Sequence, residues 1–255
     1  MTKSMEGKVA LVTGSSSGIG RATALAFAKE GAKVVGCCDL NIKGGDETVN
    51  MIEKCGGESI FVHTDVSQAA QVERLINRTM EVYGRLDYAC NNAGIPGLRV
   101  PLIEFPEEEW THVIDVNFKS VWLCMKYEIP QMLKQGKGVI VNISSDAGLK
   151  PNKGSTAYSS GKHGIIGLTK MAALEHAESG IRVNTVCPGP TRTALVEELC
   201  RRDPAREAWY ISTVPMRRMA MPEEIAAAVL WLCSDGASYI TGHALPVDGG
   251  SAELL

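Results

Sequence analysis

Short runs of apolar, often β-branched residues alternate along this chain with longer segments of helical character. This alternation constrains the fold more than any other feature, because it is typical of βαβ units with parallel strands. Several runs are apolar at consecutive positions, as expected for strands that helices cover on both faces. The sequence therefore predicts an α/β fold, a doubly wound parallel sheet of about seven strands with helices on both faces.

The predicted strands recur at intervals that leave room for helices, at residues 9–13, 33–38, 59–63, 86–91, 138–144, 182–187 and 244–247. Helices are predicted at residues 21–29, 67–83, from Pro106 onward, 156–177 and 222–234. No repeat, linker or low-complexity segment divides the 255 residues, a length that suits one large domain. We therefore predict a single domain over residues 1–255.

Residues 188–221 break this alternation. The segment carries prolines, two arginine pairs and the bulky Trp209-Tyr210, and it is too long for an ordinary connection. We interpret it as a mobile lid over a site. The alternative is a surface insertion without such a role.

A glycine-rich turn follows the first predicted strand, with the spacing Gly14-x-x-x-Gly18-x-Gly20. Such a strand, turn and helix can bind a pyrophosphate, because glycines let the anion approach the backbone and the helix N-terminus supplies N–H groups. The spacing differs from G-x-G-x-x-G and from a P-loop, so a turn without a ligand is the alternative. The turn indicates a Rossmann-like dinucleotide fold with these binding candidates: Gly14, Ser16, Ser17, Gly18, Ile19 and Gly20.

Asp39, at the end of the second predicted strand, indicates which dinucleotide binds. A carboxylate there can accept hydrogen bonds from the adenosine ribose hydroxyls and would repel the 2′-phosphate of NADP. The neighbouring positions Ser17 and Leu40 offer no basic side chain for a phosphate. We therefore predict NAD as the cofactor, although Asp39 could instead be a turn residue.

Tyr158 and Lys162 lie four residues apart in a predicted helix, so their side chains share one helix face. A free tyrosine has a pKa of about 10 and is a poor base near neutrality. One ammonium about 4 Å away contributes about 4 kcal/mol at an effective dielectric of 20, roughly the equivalent of three pKa units. Together with a positively charged nicotinamide ring, Lys162 would suffice to make Tyr158 a base.

Five motifs occur in order at compatible spacings: the glycine turn from Thr13, Asn91-Asn92-Ala93-Gly94, Asn117, Ser145 and Tyr158-x-x-x-Lys162. Together they resemble the classical short-chain dehydrogenase/reductase family, and the resemblance extends through Pro188-Gly189 to Val247-Asp248-Gly249-Gly250. It implies that Tyr158 is the general acid/base and that Lys162 lowers its pKa and holds the nicotinamide ribose. It also implies that Ser145, rather than Ser144, stabilises the substrate oxygen, and that Asn117 kinks a helix and holds a relay water.

The resemblance also extends the cofactor site. It implies that adenine contacts the pair Asp65 and Val66. It further implies that the adenosine and ribose lie along Asn91, Ala93 and Gly94, and the nicotinamide carboxamide beside Pro188, Gly189, Thr191 and Thr193. The family usually has an apolar residue where Thr191 stands.

We predict an NAD-dependent oxidoreductase that interconverts a secondary alcohol and a ketone by hydride transfer. One alternative is a 3-oxoacyl-(acyl-carrier-protein) reductase, which would favour NADP and a basic docking surface such as Arg201, Arg202, Arg217 and Arg218. Another is a non-catalytic NAD-binding protein. The predicted substrate pocket is mostly apolar, which suggests a modest-sized, largely uncharged substrate, and comprises residues 95–98, 147–152, 195–199 and 209–210.

The net charge of −3 gives no basic surface for a nucleic acid. No apolar run reaches the roughly 20 residues of a membrane span, and residues 1–8 lack a signal-peptide core, so we expect a cytoplasmic protein and no membrane partner. The eight cysteines and five histidines show no ligand spacing, so no metal is predicted. A homotetramer is expected from the resemblance alone.

Overall fold

In the computed structural model, which describes residues 4–37 and 40–252, the chain forms a parallel sheet in the order β3-β2-β1-β4-β5-β6-β7. The strands are β1 (Val9–Thr13), β2 (Lys33–Cys37), β3 (Ser59–Val62), β4 (Tyr88–Asn91), β5 (Gly138–Ile143), β6 (Ile181–Pro188) and β7 (Ala244–Val247). The predicted α/β fold is therefore confirmed, and the predicted strands are all present with small shifts at their ends.

Helices cover both faces of this sheet. They are α1 (Gly18–Lys29), α2 (Ile42–Lys54), α3 (Ala69–Tyr83), α4 (Glu107–Ile114), α5 (Ser120–Gln135), α6 (Thr156–His176), α7 (Ala194–Arg202), α8 (Pro204–Ser212) and α9 (Pro222–Cys233). The buried side chains of α3, α5 and α6 form one apolar core with the sheet, and those of α1, α2 and α9 form a second. Among the described residues, none of these helices combines the length and the apolar character that crossing a bilayer requires.

The sequence did not predict α2, α7 or α8, and the helix predicted from Pro106 had no stated end, so α5 was not defined. Helix α2 contains Gly44 and Gly45, which disfavour a helix. The structure explains Gly45, because a Cβ at this position would overlap the ring of Phe61. Helix α5 has Pro130 in its interior and continues from a π-helical turn, Asp115–Lys119, instead of beginning at a capping side chain. Tertiary packing therefore overrides weak local signals in both helices.

The predicted lid segment contains α7 and α8, two short helices with their own caps. The Thr193 side chain accepts a hydrogen bond from the Val196 amide at 3.3 Å, and Asp203 caps α8 by accepting from the Ala205 amide at 3.2 Å. An ion pair of 2.6 Å between Arg192 and Glu207 joins the approach to α7 with α8.

The strand order reverses between β1 and β4. In doubly wound sheets the connections from two such neighbouring strands leave toward opposite faces, which opens a crevice at their carboxyl ends. Residues that follow β1 and β4 line that crevice, and both motifs identified in the sequence, the glycine turn and Asn91-Asn92-Ala93-Gly94, lie at its edge.

A fully buried carboxyl group, that of Glu128 on α5, lies beneath β4. Glu128 Oε2 accepts a hydrogen bond from Asn91 Nδ2 at 3.2 Å, whereas Oε1 has no partner in the described part of the chain. Burial raises the pKa of Glu128 to about 8, although the bond from Asn91 lowers it. This carboxyl therefore ionises in the folded chain at a much higher pH than a free glutamic acid does.

Replacing Glu128 by glutamine should stabilise the fold increasingly from about pH 5 to about pH 8. In this window the folded chain binds a proton at Glu128 that the unfolded chain has lost, so the stability of the wild type falls as the pH rises. Glutamine keeps an oxygen for Asn91 and cannot ionise. Thermal unfolding at both pH values measures the effect, and an equal difference in Tm at the two values would contradict it.

Candidate active site

A cleft of about 880 Å³ opens at the carboxyl ends of β1, β4, β5 and β6. Gly14 and Asn92 line it just after β1 and β4, Ser144 just after β5, and Pro188 at the end of β6. The cleft extends from the glycine turn to α8, where Trp209 lines it. It therefore brings the predicted cofactor and catalytic motifs together in one cavity.

The glycine turn is shaped by close backbone contacts. Gly14 and Gly18 have φ angles of +69° and +52°, a conformation that favours glycine. A Cβ at Gly20 would lie 2.1 Å from the Gly14 carbonyl oxygen, and a Cβ at Gly14 would lie 3.0 Å from Ala93 Cα. These glycines leave a cradle at the start of α1, and that cradle fits the pyrophosphate of a dinucleotide.

Side chains from distant parts of the chain hold this turn in place. Thr13 Oγ1 accepts hydrogen bonds from the amides of Asn92 and Ala93 at 2.8 and 2.9 Å, and Asn92 Nδ2 donates to the Thr13 carbonyl at 2.8 Å. The Arg21 guanidinium donates to the Ser16 carbonyl and to Thr48 Oγ1, which connects α1 with α2. Sequence reasoning assigned no such role to Asn92 or Arg21, because their partners lie far apart in the chain or on the unpredicted α2.

Ser145, Tyr158 and Lys162 meet at the centre of the cleft. Tyr158 and Lys162 share one face of α6, and Lys162 Nζ lies 5.6 Å from the centre of the Tyr158 ring. The Lys162 ammonium donates to the Ile143 carbonyl at 2.9 Å, and the Ser145 side chain lies beside the Tyr158 hydroxyl and lowers its pKa. The structure thus places three of the four predicted catalytic side chains around one space.

Burial dominates the electrostatics of these groups. It raises the pKa of Tyr158 to about 12, although the hydrogen bond with Ser145 and the charge of Arg99 lower it. Burial also lowers the pKa of Lys162 to about 8. The pKa predicted from neighbouring charges alone did not include this desolvation. The protein's own groups therefore leave Tyr158 protonated at neutral pH, and a further positive charge is needed to make it a base.

The side chains of Ser144 and Asn117 are both hydrogen-bonded to the backbone. Ser144 Oγ donates to the Lys162 carbonyl at 2.8 Å, which holds α6 against β5. Asn117, in the π-helical turn, accepts from the Ile95 amide at 2.7 Å and donates to the Ile95 carbonyl at 2.8 Å. Both polar atoms of the Asn117 side chain thus fix the loop beside Gly94, and Asn117 itself does not line the cavity.

Most of the predicted cofactor residues line the cleft: Gly14, Ser17, Gly18, Ile19, Asp65, Val66, Ala93, Gly94, Tyr158, Lys162, Pro188, Gly189, Thr191 and Thr193. Ser16, Gly20 and Asn91 do not, since they lie behind the surface that faces the cavity. The Asn91 side chain instead donates to Glu128 and to Asn142 Oδ1 at 3.0 Å inside the core. Asp39 lies outside the described residues.

The turn after β6 is as tightly packed as the glycine turn. A Cβ at Gly189 would lie 2.8 Å from Asp248 Cα. Thr191, the position that departs from the family pattern, donates through Oγ1 to the Gly189 carbonyl at 2.9 Å and is buried. Because its hydroxyl is engaged within the turn, Thr191 can occupy a position that is usually apolar.

The substrate end of the cleft is more charged than predicted. Of the four predicted pocket segments, residues 95–98 and 209–210 line it throughout, and the other two contribute only part of their residues. The polar lining residues that were missed include Arg99, His112, Asp146, Arg206 and Ser251. No motif marks them, because the loop after β4, α8 and the C-terminal segment meet here only in the folded chain.

Comparisons with known proteins agree with this architecture. A family model described as enoyl-(acyl carrier protein) reductase matches residues 14–252. A short-chain dehydrogenase/reductase of Aspergillus oryzae is 43% identical over 256 residues, covering 97% of this chain and 95% of that protein. A 3-oxoacyl-(acyl-carrier-protein) reductase of Thermotoga maritima is 41% identical over 246 residues, covering 96% of this chain and 98% of that protein.

A solved structure, the crystal structure of levodione reductase, matches with a TM-score of 0.94 and 35% identity, covering 98% of this chain and 100% of that chain. The sheet order, the crevice between β1 and β4, and the Tyr158 and Lys162 pair thus occur in a chain whose relatives are dehydrogenases and reductases. The chain belongs to the classical short-chain dehydrogenase/reductase family of oxidoreductases, which use nicotinamide cofactors.

Proposed function

We propose that this protein is an NAD-dependent oxidoreductase that interconverts a secondary alcohol and a ketone by direct hydride transfer. The observation that carries the proposal is the position of the Tyr158 hydroxyl beside Ser145 in the cleft that also contains the glycine turn. A dinucleotide in this cleft would extend from the cradle after β1 toward Lys162. Its reactive ring would then lie near Ser145 and Tyr158.

When bound, NAD supplies the hydride acceptor, C4 of its nicotinamide ring, together with the ring's positive charge. Tyr158 takes the hydroxyl proton of the alcohol, and Ser145 holds the same oxygen by a hydrogen bond as it becomes a carbonyl. Lys162 holds the nicotinamide ribose and helps to lower the pKa of Tyr158. Asn117 keeps the Gly94 loop against Lys162 and, by family resemblance, supports the water through which the proton leaves.

The helices α7 and α8 are proposed as the lid over this site. Leu195 and Leu199 of α7 and Trp209 of α8 line the cleft with apolar surface. The Arg99 guanidinium lies 5.2 Å from the centre of the Trp209 ring, so the loop after β4 contacts α8 across the cleft. Closure of this segment would exclude water during hydride transfer.

A spectrophotometric assay of NAD reduction with a panel of secondary alcohols tests the proposal. The appearance of NADH with at least one alcohol is expected, which a non-catalytic NAD-binding protein would not produce. Absence of NADH with every alcohol, in a protein shown to bind NADH by fluorescence, would contradict the proposed reaction.

A 3-oxoacyl-(acyl-carrier-protein) reductase remains the second candidate, given the similarity to the Thermotoga maritima protein. It would need a basic surface for the acidic carrier, but three of the four candidate cations form ion pairs within the chain, Arg201 with Glu198 among them. Arg202 pairs with Glu198 at 2.9 Å, and Arg218 pairs with Glu224 at 2.6 Å. Faster turnover of 3-oxoacyl thioesters with NADPH than of any alcohol with NAD would favour this candidate.

We expect kcat/KM with NAD to exceed that with NADP by about 100-fold, the equivalent of about 2.7 kcal/mol. The reason is Asp39, whose carboxylate would repel a 2′-phosphate, while Leu40 offers the phosphate no positive charge. Replacing Asp39 by alanine should reduce the ratio at least tenfold, about 1.4 kcal/mol. Asp46→Ala, which removes an exposed carboxylate from α2, is the control and should leave it unchanged. Equal kcat/KM for the two cofactors in the wild type would contradict the proposal.

We also propose a homotetramer. The helices α5 and α6 cover the same sheet face, and their outer surfaces expose Trp122, Met171 and Leu174. A second exposed apolar surface near β7 includes Trp231 and Tyr239. Two separate self-associating surfaces on each subunit are what a tetramer with two kinds of two-fold interface requires. Light scattering in solution measures the oligomeric state directly.

The cytoplasmic location expected from the sequence stays a prediction.

A further inference from the structure

Asp146 is a carboxylate in the substrate end of the cleft that the proposed reaction does not use. It follows Ser145 directly and begins the short helical turn Asp146–Gly148 after β5. Asp146 Oδ1 accepts hydrogen bonds from Ser145 Oγ at 2.8 Å and from the Ala147 amide at 2.7 Å. Its position one hydrogen bond from Ser145 places it within reach of a substrate group next to the reacting carbon.

The second oxygen of this carboxylate accepts fewer hydrogen bonds than the first. Among the described residues, Asp146 Oδ2 has one long contact, 3.4 Å from Ser251 Oγ. No arginine or lysine within the described residues forms an ion pair with Asp146. Burial raises the pKa of Asp146, and the charge of Asp248 raises it further, whereas the bonds from Ser145, Ala147 and Ser251 lower it. A partly buried carboxylate of this kind gains from a hydrogen-bond donor that a ligand brings.

We propose that Asp146 makes the enzyme selective for vicinal diols, by accepting a hydrogen bond from the hydroxyl next to the one that is oxidised. This inference rests on the proposed oxidation of secondary alcohols. Ser145 connects the two positions, because its hydroxyl donates to Asp146 and lies beside the Tyr158 hydroxyl. The reacting hydroxyl would lie at Tyr158 and Ser145, and its neighbour at Asp146.

The charges of the cleft favour a hydroxyl over an ammonium as the donor. Arg99, Lys150 and Arg206 also line the cavity, so positive side chains outnumber Asp146 at the substrate end. An ammonium group would be attracted by Asp146 and repelled by these three side chains, whereas a neutral hydroxyl meets no such repulsion. The adjacent apolar residues Ile95 and Leu195 suit the carbon skeleton of such a diol.

Three matched alcohols test the inference: cyclohexane-1,2-diol, 2-methoxycyclohexanol and cyclohexanol, the first two as separate cis and trans isomers. The ether keeps the second oxygen and removes only its proton. We expect kcat/KM of the wild type for one diol isomer to exceed that for the corresponding ether by at least about tenfold, because an unpaired buried carboxylate oxygen penalises the ether. An open-chain set provides the same comparison of diol, ether and monoalcohol: butane-2,3-diol, 3-methoxybutan-2-ol and butan-2-ol.

The variant Asp146→Asn separates recognition from folding. Asparagine keeps an oxygen for Ser145 and Ala147 but presents an NH₂ group, a donor, where Oδ2 lies. The ratio of kcat/KM for diol to ether should fall to about one. Asp235→Asn is the matched control, since its side chain is 98% exposed, and the wild-type ratio should be retained.

The outcomes are distinct. Equal kcat/KM for diol, ether and monoalcohol in the wild type, or an unchanged ratio in Asp146→Asn, would overturn the inference and leave the proposed function standing. Failure of all three alcohols in both sets to produce NADH would count against the proposed function and, with it, against the role of Asp146. If Asp146→Asn does not fold, the diol-to-ether ratio of the wild type decides alone.

Discussion

Replacing Tyr158 by phenylalanine is expected to lower kcat for alcohol oxidation by about 10²- to 10⁴-fold, the range that general acid/base groups contribute. The phenylalanine ring retains the packing of Tyr158 on α6 and removes the hydroxyl that is proposed to take the substrate proton. The cradle after β1 is untouched, so NADH affinity, measured by fluorescence titration, should change little. A variant that retains more than about a tenth of the wild-type kcat would refute the assignment.

The pH dependence of oxidation provides a second readout of the same substitution. Burial raises the pKa of Tyr158 to about 12 in the protein alone, and the positive nicotinamide ring lowers it in the complex with NAD. Because the deprotonated phenol is the active base, the oxidation rate should rise with pH up to that lowered pKa. Tyr158→Phe should lose this rise.

Tyr83→Phe is the matched control for this experiment. The Tyr83 hydroxyl is buried without a hydrogen-bond partner among the described residues, and Tyr83 lies at the end of α3. Removing this hydroxyl should leave both kcat and its pH dependence as in the wild type. A loss of turnover in Tyr83→Phe would show that phenol removal acts through general destabilisation.

The sequence could predict those features of the site that a short segment of the chain specifies. The glycine turn after β1 and the Tyr158 and Lys162 pair are each specified within a few residues, and the structure places both on the cleft. Strand positions were predictable for the same reason, since each is a local apolar run. Helices α2 and α5 were not, because Gly45 and Pro130 weaken the local signal and packing decides the conformation.

Long-range contacts account for what sequence reasoning missed. Asn92 reaches Thr13 across 79 positions of the chain, and Ser251 reaches Asp146 across 105. No local pattern marks such pairs, and the bond from the Asn91 side chain to Glu128 inside the core likewise followed only from the folded structure. Desolvation is equally non-local, which is why the high pKa of Tyr158 followed only from the folded structure.

Replacing Gly20 by alanine is expected to damage the cofactor site more than a methyl group added at any other position. The added Cβ would lie 2.1 Å from the Gly14 carbonyl oxygen and 2.6 Å from Asn92 Nδ2, far inside normal contact distances. Either the turn moves away from α1 or the helix shifts, and both open the cradle that Thr13 and Asn92 hold in place. We expect a loss of about 1–3 kcal/mol in the free energy of unfolding and NADH binding at least about tenfold weaker, about 1.4 kcal/mol.

Gly167→Ala separates this local collision from the general effect of adding a methyl group to a helix. Gly167 is exposed on α6, and a Cβ there would have no neighbour within 4 Å, so helix propensity should stabilise the variant by up to about 1 kcal/mol. Gly20 lies in the first turn of α1, so alanine there would also increase the stability through helix propensity if there were space for its Cβ. If urea unfolding shows that the free energy of unfolding falls in Gly20→Ala and rises in Gly167→Ala, the contact with Gly14 is the cause of the destabilisation. Wild-type NADH affinity in Gly20→Ala would mean that the dinucleotide does not depend on this turn, and the proposed cofactor site would have to be abandoned.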